Sequence, residues 1–170
     1  MSNIKSIVNK LLLDINFKGT KVPVKRVAET LGLKIKEEYL EDNISGFLYK
    51  KGKKPTIVVN EDHPLVRRRF TIAHEIGHYV LGHSGDLFLD RKYILFRDSK
   101  SSDGSLRVEK QANKFAAELL MPEESILYEI ENRNIDFDDD NQIVNLARAF
   151  GVSSQALLIR LSNVGVLKFM

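Results

Sequence analysis

The residues best suited to chemistry are two histidines and a glutamate that lie close together in one apolar segment. His74, Glu75 and His78 form the pattern His-Glu-x-x-His between Phe70 and Leu81. On an α-helix, side chains four positions apart lie nearly above one another, so both imidazoles can bind one metal ion, such as zinc. A carboxylate beside that ion can take a proton from the attacking water and return it to a leaving amine. The pattern therefore indicates metal-dependent peptide hydrolysis.

The residues that flank this pattern predict a buried helix. Glu75 is the sole carboxylate or ammonium group between Thr71 and Leu81, and the other side chains there are mostly apolar. A helix that is apolar on nearly all sides is buried. The alternative is a pair of core histidines with satisfied hydrogen bonds beside a stray glutamate. Because burying three polar groups without partners is costly, a metal site is the preferred interpretation.

Length and composition predict a single domain that covers residues 1–170 and contains a C-terminal helical subdomain over residues 123–170. The 170 residues are 43% hydrophobic, which is enough for a substantial core. The sequence contains no cysteine, so a disulfide framework and a thiolate zinc site are both excluded. Any bound metal must therefore use histidine and carboxylate ligands.

The N-terminal segment and the charge distribution predict a cytoplasmic protein. Met1 to Asp14 has apolar residues at helical spacing, interleaved with Asn and Lys, which favours an amphipathic helix over a signal peptide. No apolar run approaches the length of a membrane span. The net charge of +3 is only mildly basic. The lysines from Lys50 to Lys54 are interpreted as a solvated hairpin turn rather than a nucleic-acid patch.

The segment before the apolar helix predicts a small antiparallel sheet. After a helix at Val24 to Leu31, a strand is expected at Leu33 to Leu40, and two further strands at Ile44 to Lys50 and Thr56 to Asn60 form a hairpin. Zinc peptidases often bind an extended substrate along a sheet edge. The part of the hairpin from Ser45 to Leu48 could be that edge or an ordinary core strand, and the sequence leaves both open.

A catalytic zinc site needs a third protein ligand, and His83 is the nearest candidate. In zincins with a third histidine, six positions separate it from the second one, and a glycine between them turns the chain. Here the separation from His78 is five positions, and Leu81 occupies the glycine position. His83 is therefore predicted to be a surface or helix-end histidine rather than a ligand.

A second helix supplies a better candidate, Glu109. The segment from Leu106 to Met121 has helical periodicity, and Glu109 falls inside its apolar sector. Lys110, Lys114 and Glu118 fall outside that sector. The small neighbours Ala112, Asn113 and Ala116 would let this helix approach the first one closely. Glutamate is also favoured in the first turn of a helix, so metal binding and capping both remain open for Glu109.

Four segments in order resemble the ImmA/IrrE-type zinc metallopeptidases of bacteria and their mobile elements. They are Ile44-Ser45-Gly46-Phe47, Ile57 to Asn60, Arg69 to His78, and the helix from Glu109 to Met121-Pro122. The resemblance implies zinc held by His74, His78 and Glu109, with Glu75 as the catalytic base. It also implies a gluzincin-like α+β fold, a protein substrate and regulatory cleavage of a helix-turn-helix repressor. The segment from Ser84 to Arg107 carries no recognised motif of the family, and its part from Arg97 to Ser105 is predicted to be a mobile loop.

The C-terminal segment suggests a different function, DNA binding. Ile143 to Leu161 has the pattern of two helices joined by a Gly-containing turn, as in a helix-turn-helix. Ser154, Gln155 and Arg160 would then contact bases. However, residues 123–170 carry eight acidic and four basic side chains, which is the wrong balance for phosphate contacts. Packing within the peptidase domain is the preferred interpretation, and direct nucleic-acid binding is not expected.

The sequence does not assign every role in the expected reaction. Tyr79, Tyr93 and His63 are equal candidates for stabilising the oxyanion, and no substrate-binding residue is identified. A metal-dependent interaction module that binds a partner without cutting it would use the same ligands. The predicted function is a zinc-dependent endopeptidase of narrow specificity, without membrane association.

Overall fold

The protein has an α+β fold, as the sequence predicts. The structure is a computed structural model that describes residues 2–50, 54–83, 87–91 and 103–167. The helices are α1 (Ser2–Asp14), α2 (Val24–Thr30), α3 (Leu65–Val80), α4 (Asp103–Leu120), α5 (Glu123–Arg133), α6 (Asp140–Phe150) and α7 (Ser154–Asn163). The strands are β1 (Lys34–Glu38), β2 (Ile44–Tyr49), β3 (Thr56–Asn60) and β4 (Leu87–Arg91). No helix within these ranges is long and apolar enough to cross a lipid bilayer.

The sheet is mixed rather than purely antiparallel, which corrects the sequence prediction. Its strand order is β1-β3-β2-β4, and β1 pairs with β3 in parallel, whereas the other two pairs are antiparallel. The reason lies in β3, where Ile57, Val58 and Val59 are all buried. A continuous apolar run of this kind is typical of a strand covered on both faces. Strand β3 is accordingly an internal strand, with β2 of the hairpin along one edge and β1 along the opposite edge.

Strand β4 makes β2 an internal strand, so of the two positions left open for Ser45 to Leu48, the sheet edge is excluded and the core strand is confirmed. Phe47 pairs with Val58 of β3 on one side and with Leu89 of β4 on the other. The sequence motifs predict no strand at residues 87–91, which lie between the segments that carry the family resemblance. Among the described strands, β1 and β4 are the ones at the edges of the sheet.

Helix α3 is held under the sheet by its arginine-rich first turns. Arg67 donates to Ser45 Oγ of β2 at 2.6 Å, and Arg68 forms an ion pair with Glu37 of β1. Arg69 donates to the carbonyl oxygens of Val22, Phe150 and Gly151, at 2.9, 3.4 and 3.1 Å respectively. These contacts offset the unfavourable interaction between cations and the positive end of the helix macrodipole.

Two glycines allow α3 to approach its neighbours closely. A Cβ atom on Gly46 of β2 would lie 2.6 Å from Thr71 Cγ2 and 2.5 Å from the Val58 carbonyl oxygen. A Cβ atom on Gly77 would lie 3.3 Å from the Cα of Ala112 on α4. Because both positions lack a side chain, α3 packs directly against the sheet on one side and against α4 on another.

The predicted apolar sector of α4 is confirmed, although one of the residues placed outside it is also buried. Ala112, Phe115, Ala116, Leu119 and Leu120 are fully buried. Glu118, which was expected to face solvent, is 5% exposed. The reason is that α7 covers this side of α4, where Arg160 Nη2 donates to Glu118 Oε2 at 2.7 Å.

The C-terminal helices belong to the same core as α3 and α4. Helix α6 ends at Gly151, whose φ is 68°, and α7 begins with Ser153 Oγ accepting from Ala156 N at 3.1 Å. Phe150, Leu157 and Leu161 are fully buried in the cluster that also contains Ile72 and Phe115. Arg160 is 6% exposed and also donates to the Met121 carbonyl oxygen. It is therefore not available to contact a base.

Some sequence predictions concern residues outside the described ranges. These include most of the hairpin turn, residues 51–53, as well as Tyr93 and residues 97–102 of the predicted loop. The last three residues of that loop, 103–105, belong to α4 instead.

The Glu118–Arg160 pair predicts a large stability effect. Breaking it through Arg160→Met leaves a buried carboxylate without its cation, which costs about 3–5 kcal/mol. The double variant Glu118→Leu/Arg160→Met should recover most of this loss, because neither charge remains buried. Urea unfolding of both variants measures the two free energies. A single variant within 1 kcal/mol of wild type would contradict the prediction.

Candidate metal centre

The structure brings His74, His78 and Glu109 together at the contact between α3 and α4. The Nε2 atoms of His74 and His78 are 2.9 Å apart. Glu109 Oε2 lies 3.2 Å from His74 Nε2, and Glu109 Oε1 lies 3.4 Å from His78 Nε2. Both histidines are buried, whereas the Glu109 side chain is 31% exposed. The three residues form a group that could hold a metal ion.

The close packing of the two helices explains how residues 31 positions apart reach one another. His74 and His78 lie one turn apart on the same side of α3. Gly77, between them, faces Ala112 and Phe115 of α4. Glu109 is one turn before Asn113 on α4, so both residues lie on the side of that helix which faces His74.

The donor atoms fit a zinc ion. A tetrahedral zinc with bonds of about 2.0–2.2 Å separates its ligand atoms by roughly 3.3–3.6 Å. The measured separations of 2.9, 3.2 and 3.4 Å are close to those values. Two imidazoles and one carboxylate would leave a fourth position for water, as in catalytic zinc sites.

Glu109 is a charged carboxylate at neutral pH. Burial by itself would raise its pKa, but the close contacts with the imidazoles of His74 and His78 outweigh burial and lower the pKa to about 2. The negative charge suits a ligand for a divalent cation.

Asn113 orients the first histidine. His74 Nδ1 lies 2.9 Å from Asn113 Oδ1, and an amide oxygen can only accept a hydrogen bond. His74 therefore carries its proton on Nδ1 and keeps the Nε2 lone pair for a metal. Hydrogen bonds of this kind fix the tautomer and ring orientation of metal ligands.

His83 and Gln111 orient the second histidine through a chain of hydrogen bonds. Gln111 Oε1 lies 3.2 Å from His83 Nε2, so that nitrogen carries the proton, and His83 Nδ1 accepts from His78 Nδ1 at 3.0 Å. This arrangement leaves the Nε2 lone pair of His78 directed at Glu109 and His74. Burial lowers the pKa of His83, which keeps its ring neutral and able to accept.

The prediction of a surface position for His83 is wrong, although the residue does follow the end of α3. His83 is 8% exposed. Gly82, with φ of 66°, turns the chain back after the helix, and the His83 N–H donates to the His78 carbonyl oxygen at 3.1 Å. The sequence spacing bears on His83 only as a direct ligand, and Asn113 stands out in the sequence only by its small size. The signal that could have identified His83 and Asn113 as orienting residues is a polar side chain about one helical turn from a candidate ligand.

The His83–Gln111 chain predicts a moderate effect on metal affinity. His83→Phe removes the acceptor for His78 Nδ1–H and should weaken zinc binding about 10–100-fold. Gln111→Leu should have a smaller effect on the affinity for zinc. Competition with a chromogenic chelator measures the dissociation constants. His63→Phe, at a histidine ahead of α3, is the matched control and should bind zinc as wild type does. Equal affinities for His83→Phe and wild type would contradict an orienting role.

Glu75 is completely buried on α3, between the two histidines in sequence. Of the oxyanion candidates, Tyr79 is partly buried and packs against the hydrophobic core. His63 precedes α3, and roughly 14 Å of helix separates the start of α3 from His74. That distance argues against His63 as an oxyanion-stabilising group.

The fold and this cluster place the protein in the class of α+β proteins that have a candidate metal site of two histidines and one carboxylate. Residues 28–162 match the peptidase family described as the IrrE N-terminal-like domain, and the chain belongs to that family. The resemblance inferred from the sequence motifs is thereby confirmed, and the family is one of metallopeptidases.

A solved structure shares the fold. It is described as a Mycobacterium tuberculosis transcriptional regulator and is 20% identical in sequence, with a TM-score of 0.66. The match covers 95% of this chain and 47% of the other, so this chain spans about half the length of that protein. No curated protein matches the sequence.

Proposed function

We propose that the protein is a zinc-dependent endopeptidase in which His74, His78 and Glu109 hold the metal and Glu75 is the catalytic base. The observation that carries this proposal is the convergence of two imidazole nitrogens and a carboxylate on two packed helices. The outward-facing nitrogen of each imidazole is hydrogen-bonded, by Asn113 and by His83. Such support is typical of metal ligands.

Zinc is the metal that best fits both the donors and the family. Two histidines and one carboxylate also bind iron(II) in some oxygenases. Membership of a metallopeptidase family favours zinc here. Catalytic zinc sites in peptidases commonly have this ligand set.

The residues around the candidate metal site have separate roles in the proposed hydrolysis of a peptide bond. When bound, zinc would lower the pKa of a water molecule to about 7 and polarise the substrate carbonyl. Glu75 takes the proton from the attacking water and delivers it to the departing nitrogen. The buried surroundings of Glu75 keep bulk water away from this transfer. Asn113 and His83 hold the imidazoles in the metal-binding tautomer.

Strand β4 is the proposed support for an extended substrate. It pairs with β2 on one side and lies at the edge of the described sheet, next to α3 in space. A peptide added to its outer side would form backbone hydrogen bonds that do not depend on sequence. Selectivity would then come from side-chain contacts elsewhere.

The proposed substrate is a helix-turn-helix transcriptional repressor in the cytoplasm, cut at one or a few sites. Membership of the IrrE N-terminal-like family supports this role, and the similar solved structure bears the name of a transcriptional regulator. A DNA-binding role for this chain itself is less well supported, because Arg160 is buried in an ion pair.

The direct test is to incubate the purified protein and zinc with candidate helix-turn-helix repressors from the same genome. Mass spectrometry should find one or a few defined fragments, and a chelator should prevent their formation. If all candidate repressors stay intact while other peptides are cleaved, the proposed substrate is wrong. Zinc-dependent binding of a repressor without any fragments would instead identify an interaction module.

A further inference from the structure

A groove of about 800 Å³ lies between helix α4 and the C-terminal helix α7, with Phe70 of α3 in its lining. Its inner end is formed by Phe70 and Asn113, and both residues contact His74. The Phe70 ring centroid lies 6.3 Å from that of His74, and Asn113 Oδ1 lies 2.9 Å from His74 Nδ1. The groove therefore lies beside the candidate metal centre, on the Nδ1 side of His74, and its volume is in the range of pockets that bind drug-sized ligands.

One side of the groove contains an apolar patch. Phe70 of α3 and Ala156 of α7 are half-buried, and Ile159 of α7 is 54% exposed. An exposed isoleucine at a concave surface loses contact with water when a ligand covers it, which is favourable by about 25 cal/mol per Å² of apolar area. This side suits an apolar side chain of a ligand.

The other side is cationic. Lys110 and Lys114 of α4 are exposed and lie one turn apart along the groove. Arg160 also lines the groove, but its charge is matched by Glu118. Among the described residues that line the groove, none is acidic. The two lysines therefore give the groove a net positive charge that an acidic ligand would complement.

We infer that this groove binds the substrate polypeptide on one side of the scissile bond and selects an apolar residue flanked by acidic residues. The inference rests on the proposed peptidase function. A chain that places its scissile carbonyl at the metal centre can reach the groove a few residues away from that bond, because Phe70 and Asn113 of the groove contact His74. The apolar residue would contact Phe70, Ala156 and Ile159, and the acidic residues would face Lys110 and Lys114.

The test is the cleavage-site profile of a proteome-derived peptide library. For the zinc-loaded wild-type protein, we expect acidic residues to be enriched about tenfold at positions beside an apolar residue on one side of the cut. The charge reversal Lys110→Glu/Lys114→Glu should replace this preference with one for basic residues. The matched control Lys10→Glu/Lys18→Glu changes net charge equally at exposed positions of the N-terminal region and should leave the profile unchanged. An identical profile for wild type and the Lys110/Lys114 variant would overturn the inference.

A binding measurement separates this inference from the peptidase function. The probe is a fluorescent glycine-rich peptide with one Asp-Leu-Asp segment, compared with its Lys-Leu-Lys counterpart. Wild type should bind the acidic peptide at least tenfold more tightly, and the charge reversal should invert the order. This binding preference without cleavage of any library peptide would support the proposed role of the groove and contradict the proposed peptidase function. A dimer that Ile159→Glu converts to a monomer would overturn the inference, because a second copy would then occupy the groove.

Discussion

Glu75→Gln is expected to lower the rate of peptide cleavage by about 10²–10⁴-fold while zinc stays bound. Glutamine has the shape of glutamate, but it cannot take up the proton that a catalytic base must remove. The three proposed ligands are unchanged, so metal affinity should be that of wild type. Elemental analysis gives the zinc content, and the cleavage rate of the repressor or of library peptides gives the activity.

A second buried glutamate provides the control for this result. Glu129 of α5 is 9% exposed and forms an ion pair with Arg133. Glu129→Gln should keep the wild-type cleavage rate, because α5 contributes no residue to the cluster. Cleavage at the wild-type rate by Glu75→Gln would rule out Glu75 as the base.

Glu109→Ala is expected to lose zinc. The variant removes one of three proposed ligands together with the only negative charge among them, so affinity should fall by well over the roughly 100-fold upper value for orienting residues. Elemental analysis after dialysis measures the retained zinc, and cleavage activity should fall in proportion. Far-ultraviolet circular dichroism should show an unchanged helix content, because Glu109 is partly exposed.

Arg107→Ala, at an exposed position two residues earlier on α4, is the matched control and should retain zinc. Undiminished zinc in Glu109→Ala would instead favour the other interpretation of this residue, a glutamate placed near a helix start for electrostatic reasons. The predicted ligand set would then be wrong.

Local patterns made the two site helices predictable. Helical periodicity alone places His74 above His78, and it places Glu109 inside an apolar sector where a carboxylate needs a partner. The structure brings these three residues within hydrogen-bonding distance of one another. Their roles in binding and catalysis stay predictions.

Features that depend on distant parts of the chain were not predictable in the same way. The parallel pairing of β1 depends on where the β2–β3 hairpin docks, and the internal position of β2 depends on β4, about 40 residues later. Glu118 looked solvent-exposed because its partner Arg160 lies on another helix. His83 was rejected as a ligand by its spacing, but only the fold shows its contact with Gln111.

Two arginines, the half-buried Arg69 and the buried Arg160, set a limit on how this chain can be divided. Arg69, before position 122, donates to carbonyls of Phe150 and Gly151, and Arg160, after it, donates to Glu118 and Met121. Each segment thus contains a guanidinium that donates to acceptors in the other, although Arg69 also donates to Val22 in its own segment. If the two segments were expressed separately, each would expose an apolar face. Each would also contain a guanidinium that has lost its acceptors in the other segment. The helical segment is therefore expected to be inherited with the metal-binding segment rather than exchanged as an independent module.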